Sequence, residues 1–310
     1  MKRFLAIVAA ALILALLAAC GSPKDSGDSS VTSGSGTEQE QPEKLLEQGD
    51  VIRLEDNRLL VTAYVDRDGA PYVEAYSLRL TDDTVLEDAE GRTLGVDELE
   101  AGARVEVWSV GPIAESYPAQ GEAARIVVLA DPASGEGNVT RTEAVRAALE
   151  RLDESAMAPA VQSAEWDEDM SLWHIRLVHQ QSIDEPVEVK VDGASGRVIV
   201  ADNDAFRVFA PEPKTEVGPS FTVEGKARVF EAVFHWTLED GHIILAEGME
   251  MADGGAPAWG DFRFDVSYDK ATQQNMMLIL YIHSPKDGSV ENELIVPLMA
   301  PDHLIDHNIQ

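Results

Sequence analysis

After residue 46 this chain consists mostly of short apolar runs that alternate with polar residues and end at turns. That pattern constrains the fold more than any other feature, because a period of two puts every second side chain on one face of a strand. Between Glu47 and Asp131 the runs are Arg58 to Val65, Tyr72 to Leu80, Val105 to Val110 and Ile126 to Leu129. Turns fall at Asp66-Arg67-Asp68-Gly69 and at Glu90-Gly91. About five short strands with turns between them predict a small barrel. Asp97 to Gly102 reads as one helical turn ended by glycine. Between 138 and 203 the spacing changes. Ala144, Val145, Ala148, Leu149 and Leu152 share one helical face over Glu143 to Leu152, with Thr142 as the expected N-cap. Strands are predicted after it at Val161 to Trp166, Leu172 to Val178, Val187 to Val191 and Val198 to Val200, which makes this region α+β. From 204 to 299 about seven strands, with turns at Glu239-Asp240-Gly241, Asp253-Gly254-Gly255 and Lys286-Asp287-Gly288, predict a β-sandwich. The expected fold is therefore mainly β and multidomain, with a polar tail over 300–310.

Cys20 is the only cysteine in the 310 residues, so disulfides cannot staple these modules and each needs its own apolar core. The residues around Cys20 describe an address. Lys2 and Arg3 precede the uncharged apolar run Phe4 to Leu17, and small residues follow at Ala18 and Ala19. These are the parts of an export signal. The run is shorter than the roughly 20 residues of a spanning helix. Leu17-Ala18-Ala19-Cys20, followed by Gly21-Ser22, resembles the lipobox of bacterial lipoproteins. The resemblance implies that residues 1–19 are removed and that Cys20 carries lipid, anchoring the protein to the outer face of the cell membrane. Residues 20–46 are expected to be a polar tether. Its Ser, Gly, Asp, Glu and Gln content buries too little apolar surface to offset ordering, and ~23 such residues span roughly 26 Å.

Four further resemblances rest on motifs. Leu99 to Trp108 resembles the L-x-x-G-x-x-V-x-V element of OB-like barrels. Gly111 to Gln120, with its Glu115-Ser116-Tyr117-Pro118-Ala119-Gln120 loop, resembles a domain of Gram-positive lipoproteins that has no settled activity. The hairpin Val189 to Val198, of the form V-D-x-x-(S/T)-G-x-V, is similar to the PepSY domain. Phe221 to Gly225, Val229 to Ala232, Gly255 to Phe262 and Ser284 to Gly288 resemble, in that order, the immunoglobulin-like domain of bacterial spore germination proteins. These imply an OB-like barrel, a PepSY-like module and an immunoglobulin-like sandwich.

The formal net charge is −32, and loss of Lys2 and Arg3 takes it to −34. Such a surface repels nucleic acid and anionic lipid heads and attracts basic proteins, cationic peptides or divalent cations. No nucleophile elbow, P-loop or dinucleotide glycine fingerprint occurs in the sequence. No catalytic residue, resident metal or cofactor is expected. His303 and His307 belong to the polar tail with Asp302 and Asp306. His174 and His179 are five apart in a strand-like region and are expected on opposite faces. Asp66 and Asp68 precede Gly69 as a calcium loop would, but position 77 is Ser77 and a hairpin turn is the expected use. Asp202 and Asp204 fall at a module boundary.

Candidate binding residues are Glu115 and Tyr117, an aromatic beside a carboxylate that could read a sugar or peptide, and Trp259, flanked by Pro257 and Gly260. The expected role is a membrane-anchored, non-catalytic binding or scaffold lipoprotein with an envelope or secreted protein partner, linked to spore germination through the C-terminal resemblance. The alternative, implied by the PepSY resemblance, is a regulator or inhibitor of an extracytoplasmic protease.

Overall fold

A computed structural model describes residues 41–152, 157–241 and 243–306. The export signal, Cys20 and His307 lie outside the described residues.

The first module contains β1 (Glu43–Glu55), β2 (Arg58–Arg67), β3 (Ala70–Arg79), β4 (Val85–Asp88), β5 (Arg104–Ala114) and β6 (Ala119–Val128). Antiparallel neighbours run β3-β2-β1-β5-β6, and β6 then returns parallel to β3, from Tyr76↔Ala119 to Arg79↔Glu122. Five strands thereby close into a barrel, and β4 adds to β6 from outside the ring. Closure leaves those five without a free edge. The alternating residues Val51, Leu59, Val61, Leu78, Val105, Val107 and Ile126 fill the interior. The β1–β2 and β2–β3 loops are two-residue turns with positive φ at both positions, Asp56-Asn57 and Asp68-Gly69. Such turns match the twist of the strands they join. At the second, Gly69 N donates to Asp66 Oδ1 at 2.8 Å, so these aspartates serve a hairpin. β1 starts at Glu43, inside the stretch expected to be tether. Leu46 is buried in the barrel, while Lys44 lies 4.7 Å from the Trp108 ring centroid and pairs with Glu106 at 3.1 Å.

The second module is one helix on one sheet. Helix α1 (Arg141–Leu149) covers a face of β7 (Ala160–Asp167), β8 (Leu172–Val178), β9 (Val187–Asp192) and β10 (Val198–Ile199), antiparallel in the order β10-β9-β8-β7. Ala144, Val145 and Ala148 meet Trp173, Ile175, Leu177 and Val191 in its core. The N-cap is Thr140 and not the expected Thr142. Glu143 stands three residues after Thr140, so its backbone N–H donates to Thr140 Oγ1 at 3.2 Å while its carboxylate accepts from Thr140 N at 2.7 Å.

The third module holds β11 (Ala201–Asp202), β12 (Phe206–Ala210), β13 (Ser220–Ala227), β14 (Val233–Glu239), β15 (Ile244–Met251), β16 (Gly260–Ser267), β17 (Asn275–His283) and β18 (Val290–Met299). Two four-stranded sheets, β11-β12-β13-β16 and β15-β14-β17-β18, share one core, which gives the expected β-sandwich. Phe234 sits at its centre, with ring centroids of Phe206, Phe262 and Phe264 at 5.5, 4.9 and 6.1 Å. Gly248 faces Trp236 so closely that a Cβ there would lie 2.7 Å from the indole, which explains a glycine in mid-strand.

Candidate functional site

The Glu115–Pro118 loop joins β5 to β6 at one end of the barrel. Ser116 Oγ donates to the Pro118 carbonyl at 2.7 Å and Ser116 N to the Ala114 carbonyl at 2.9 Å, which folds the loop on itself. Tyr117 is 37% exposed. Partial burial, with Tyr72 nearby, pushes its pKa up to about 12, so the phenol stays neutral at ordinary pH and serves as a hydrogen-bonding group, not as a base. Tyr72 itself lies under the Arg67 guanidinium at 4.2 Å, and Arg67 pairs with Glu74 at 2.7 Å. Glu115 is exposed and has no ion pair or hydrogen bond with another described residue. Pro118 lines a cleft of about 550 Å³ between the barrel and the second module, together with Arg53, Arg58, Ser77 and Met157.

Trp259 is not part of that surface. Its ring lies 4.1 Å from the Arg207 guanidinium and 4.8 Å from that of Arg228. Arg207 is 1% exposed and belongs to β12. Its Nη1 donates to Asp192 Oδ2 at 2.7 Å, and its Nη2 reaches the Met170 carbonyl. Lys226 Nζ donates to Asp192 Oδ1 at 2.9 Å, and Ser195 reaches the same oxygen through N at 3.0 Å and Oγ at 2.7 Å. Burial alone raises the Asp192 pKa. The hydrogen bonds from Lys226, Ser195 and Arg207 and the charge of Lys226 outweigh it and hold the carboxyl below its ordinary range. Asp192, the acidic residue of the hairpin motif, is thus the hub that joins the second module to the sandwich. Trp259 caps that hub from the sandwich side. Its pairing with cations explains a half-buried tryptophan more directly than a ligand shelf does.

A second ionic joint ties the barrel to the second module. Arg141, the first residue of α1, pairs with buried Asp50 at 2.7 Å and donates to the Gly102 carbonyl at 3.1 Å. Asp131 Oδ2 accepts from Thr142 N at 2.9 Å, and Thr62 Oγ1 donates to the Pro159 carbonyl at 2.8 Å. Burial pushes the Asp50 pKa up against the pull of Arg141. Sequence reasoning missed both joints. The signals available were an acid inside an apolar strand (Asp50) and cations on strands otherwise read as core (Arg207, Lys226), but their partners lie far away in the chain.

The uncovered face of the second module's sheet forms a cleft of about 690 Å³ with Glu165, Asp167, His174, Arg176, Glu188 and Lys190. Its basic groups are already partnered: Arg176 with Glu188 at 2.6 Å, Lys190 with Asp202 at 2.8 Å and His174 with Asp167 at 3.6 Å. His179 instead meets Ser182 Oγ. Asp204 offers its carbonyl to Arg228 at 3.0 Å. Among the described residues no group of three or more His, Cys, Asp or Glu side chains is arranged to hold a metal ion.

These geometries can be set beside known proteins. Residues 205–289 match the family model described as immunoglobulin-like domain of bacterial spore germination. That match runs from the start of β12 to the turn after β17, so the sandwich is immunoglobulin-like in sequence as well as in architecture. Residues 48–130 match a family model described as a protein of unknown function, which spans the barrel. Neither match reaches the second module. No curated protein and no solved structure matches the chain.

Proposed function

We propose that this is an extracytoplasmic lipoprotein, held to the membrane by lipid on Cys20, that acts without catalysis as a rigid binding scaffold at the cell envelope in spore germination. The observation that carries this reading is the pair of buried ionic joints, Asp50–Arg141 and Asp192–Arg207–Lys226. A buried charge that loses its partner is strongly destabilising, so such joints hold modules in one arrangement. Three modules fixed to one another suit presentation of a surface at a set place. The strand order of the barrel, with its parallel β3–β6 closure, supports the OB-like resemblance. The germination link rests on the match of the sandwich. Regulation of a protease through residues 138–203 is the weaker reading, because Asp192, the acid of the PepSY-like motif, is committed to the joint.

Two measurements test the proposal. Cys20→Ser is expected to move the protein from the membrane fraction to the soluble fraction or leave it unprocessed, since acyl chains contribute about 0.8 kcal/mol per buried CH₂. Unchanged membrane fractionation would remove the anchor. Photo-crosslinkers placed across the folded surface in living cells are expected to trap a discrete envelope partner, and adducts no different from those of an unrelated lipoprotein would remove the scaffold.

A further inference from the structure

The two outer faces of the sandwich differ in kind. On β12, β13 and β16 the outward residues include Arg207, Lys226, Glu224 and Arg263, and the second module engages part of that face. The outward face of β15-β14-β17-β18 is apolar and aromatic. The register places His235 between Met249 and Tyr281, Ile279 beside Ile295, and Met277 beside Pro297. Met249 and Met251 are 63% and 70% exposed, and Ile295 is 45% exposed. His235 stacks on Tyr281 at 5.7 Å and meets His283 edge-on at 4.8 Å. A contiguous apolar surface of this kind, rimmed by polar groups, marks an interaction site.

The charge of this sheet is one-sided. Its four strands contain no lysine or arginine; Glu239, Glu247 and Glu293 are the acids on this face, whereas Glu250 is registered with core Phe234 and Glu291 with Ile282 on the inner side. Glu247 neighbours Thr237 on the exposed face, and Glu293 is exposed on the far strand. The charge pattern selects among occupants. A second copy would set carboxylate against carboxylate on chains of net charge −32. An anionic bilayer would be repelled in the same way. A segment with an apolar side and basic flanks satisfies both the centre and the rim. Exposed methionines suit that role because their flexible, polarisable side chains adapt to varied apolar partners.

We propose that the outer face of β15-β14-β17-β18 docks a cationic amphipathic segment of a protein partner, with the apolar side on Met249, Tyr281 and Ile295 and the basic side on the glutamate rim. This rests on the scaffold reading and adds where the partner sits and what charge it bears. His235 makes the surface sensitive to acid. It faces Met249 from β15 and Tyr281 and His283 from β17, and the acids on the same face of β14 and β15 are Glu239 and Glu247. Burial and then His283 hold its pKa below the ordinary value, so it is neutral at neutral pH and adds positive charge only in acid.

The test uses the exported protein without its lipid and a synthetic leucine–lysine amphipathic peptide of about four helical turns. Fluorescence anisotropy is expected to show saturable binding that Met249→Lys and Ile295→Lys each weaken by about tenfold or more. Both sites are exposed, and thermal melts by circular dichroism confirm that each variant folds. Val85→Lys, on exposed β4 of the barrel, adds the same charge elsewhere and is expected to leave binding unchanged. A leucine–glutamate peptide is expected not to bind, and binding of the lysine peptide is expected to weaken between about pH 7 and pH 5. No binding, equal loss with Val85→Lys, or equal binding of the glutamate peptide overturns the proposal. If the docking face fails in this way while crosslinkers elsewhere still trap an envelope partner, the scaffold reading survives without it.

Discussion

Asp192→Ala is expected to destabilise the folded protein by about 3–5 kcal/mol, because Arg207 and Lys226 would stay buried with no counter-charge. Urea unfolding of the full chain measures the loss, and native-state hydrogen exchange should place the earliest opening at β9, β12 and β13. A loss under about 1 kcal/mol, the range of an exposed ion pair, would mean that the cluster is wetter than its burial indicates. Asp192→Asn is expected to recover part of the loss, since an amide oxygen still accepts from Ser195 but brings no charge. The pH dependence has a definite sign. The folded-state pKa of Asp192 is depressed, so its stabilisation is fully present above the unfolded carboxylate value of about 4 and is lost as pH falls through the lower folded value.

Arg141→Ala is the second large effect. It strands Asp50 inside the barrel–helix contact, and about 3–5 kcal/mol is expected to be lost at pH 8. Here acid acts in the opposite direction. Burial already raises the Asp50 pKa, so in the variant this carboxyl takes up a proton readily and the loss shrinks as pH falls toward that raised value. In the intact protein the raised value likewise means that stability from Asp50 is greatest in acid and declines as pH rises through it. The double variant Asp50→Leu with Arg141→Met is expected to be near neutral, as apolar replacements of buried pairs often are. Urea midpoints at two pH values separate these cases. An Arg141→Ala loss that grows on acidification would show that Asp50 is not the stranded group.

How much of this was legible in the sequence follows from the range of each interaction. Strands such as β2, β3 and β8 could be read because alternation is local, and the Asp68-Gly69 turn announced itself, whereas β1 (Glu43–Glu55) went unread and in the sandwich only the turns and an approximate strand number were legible. Asp56-Asn57 forms an equally tight turn with no glycine to mark it. Gly102 shows where local reading stops. It was expected to end a helical turn over Asp97 to Gly102, but the 3₁₀ turn covers Val96–Glu98 and is capped at Leu99; Gly102, at φ +89°, lies in a separate turn where a Cβ would come within 2.3 Å of the Thr142 carbonyl on α1. The glycine lets the barrel and the helix touch, and no window around residue 102 contains that helix. Asp192 likewise reads as a hairpin residue and acts as a joint, because Arg207 and Lys226 come from strands that pair only in the fold. Of the candidate binding residues, Glu115 and Tyr117 share one accessible loop, while Trp259 covers Arg207. The methionine and tyrosine face of the sandwich was missed because each of its strands alternates like an ordinary core strand. Which face is covered depends on the other sheet.

Val200 alone stands between β10 of the second module and β11 of the sandwich. Val198 and Ile199 pair with β9, and Ala201 and Asp202 pair with β12, so the main chain passes from one sheet to the next with no slack. Lys190 on β9 grips Asp202 on β11 across the crossing, and Arg197 pairs with Glu224 beside it. In mechanical terms this is a splice, not a hinge. A pull along the chain across this crossing would load both ladders and both salt bridges together, with little lost to bending between the two sheets.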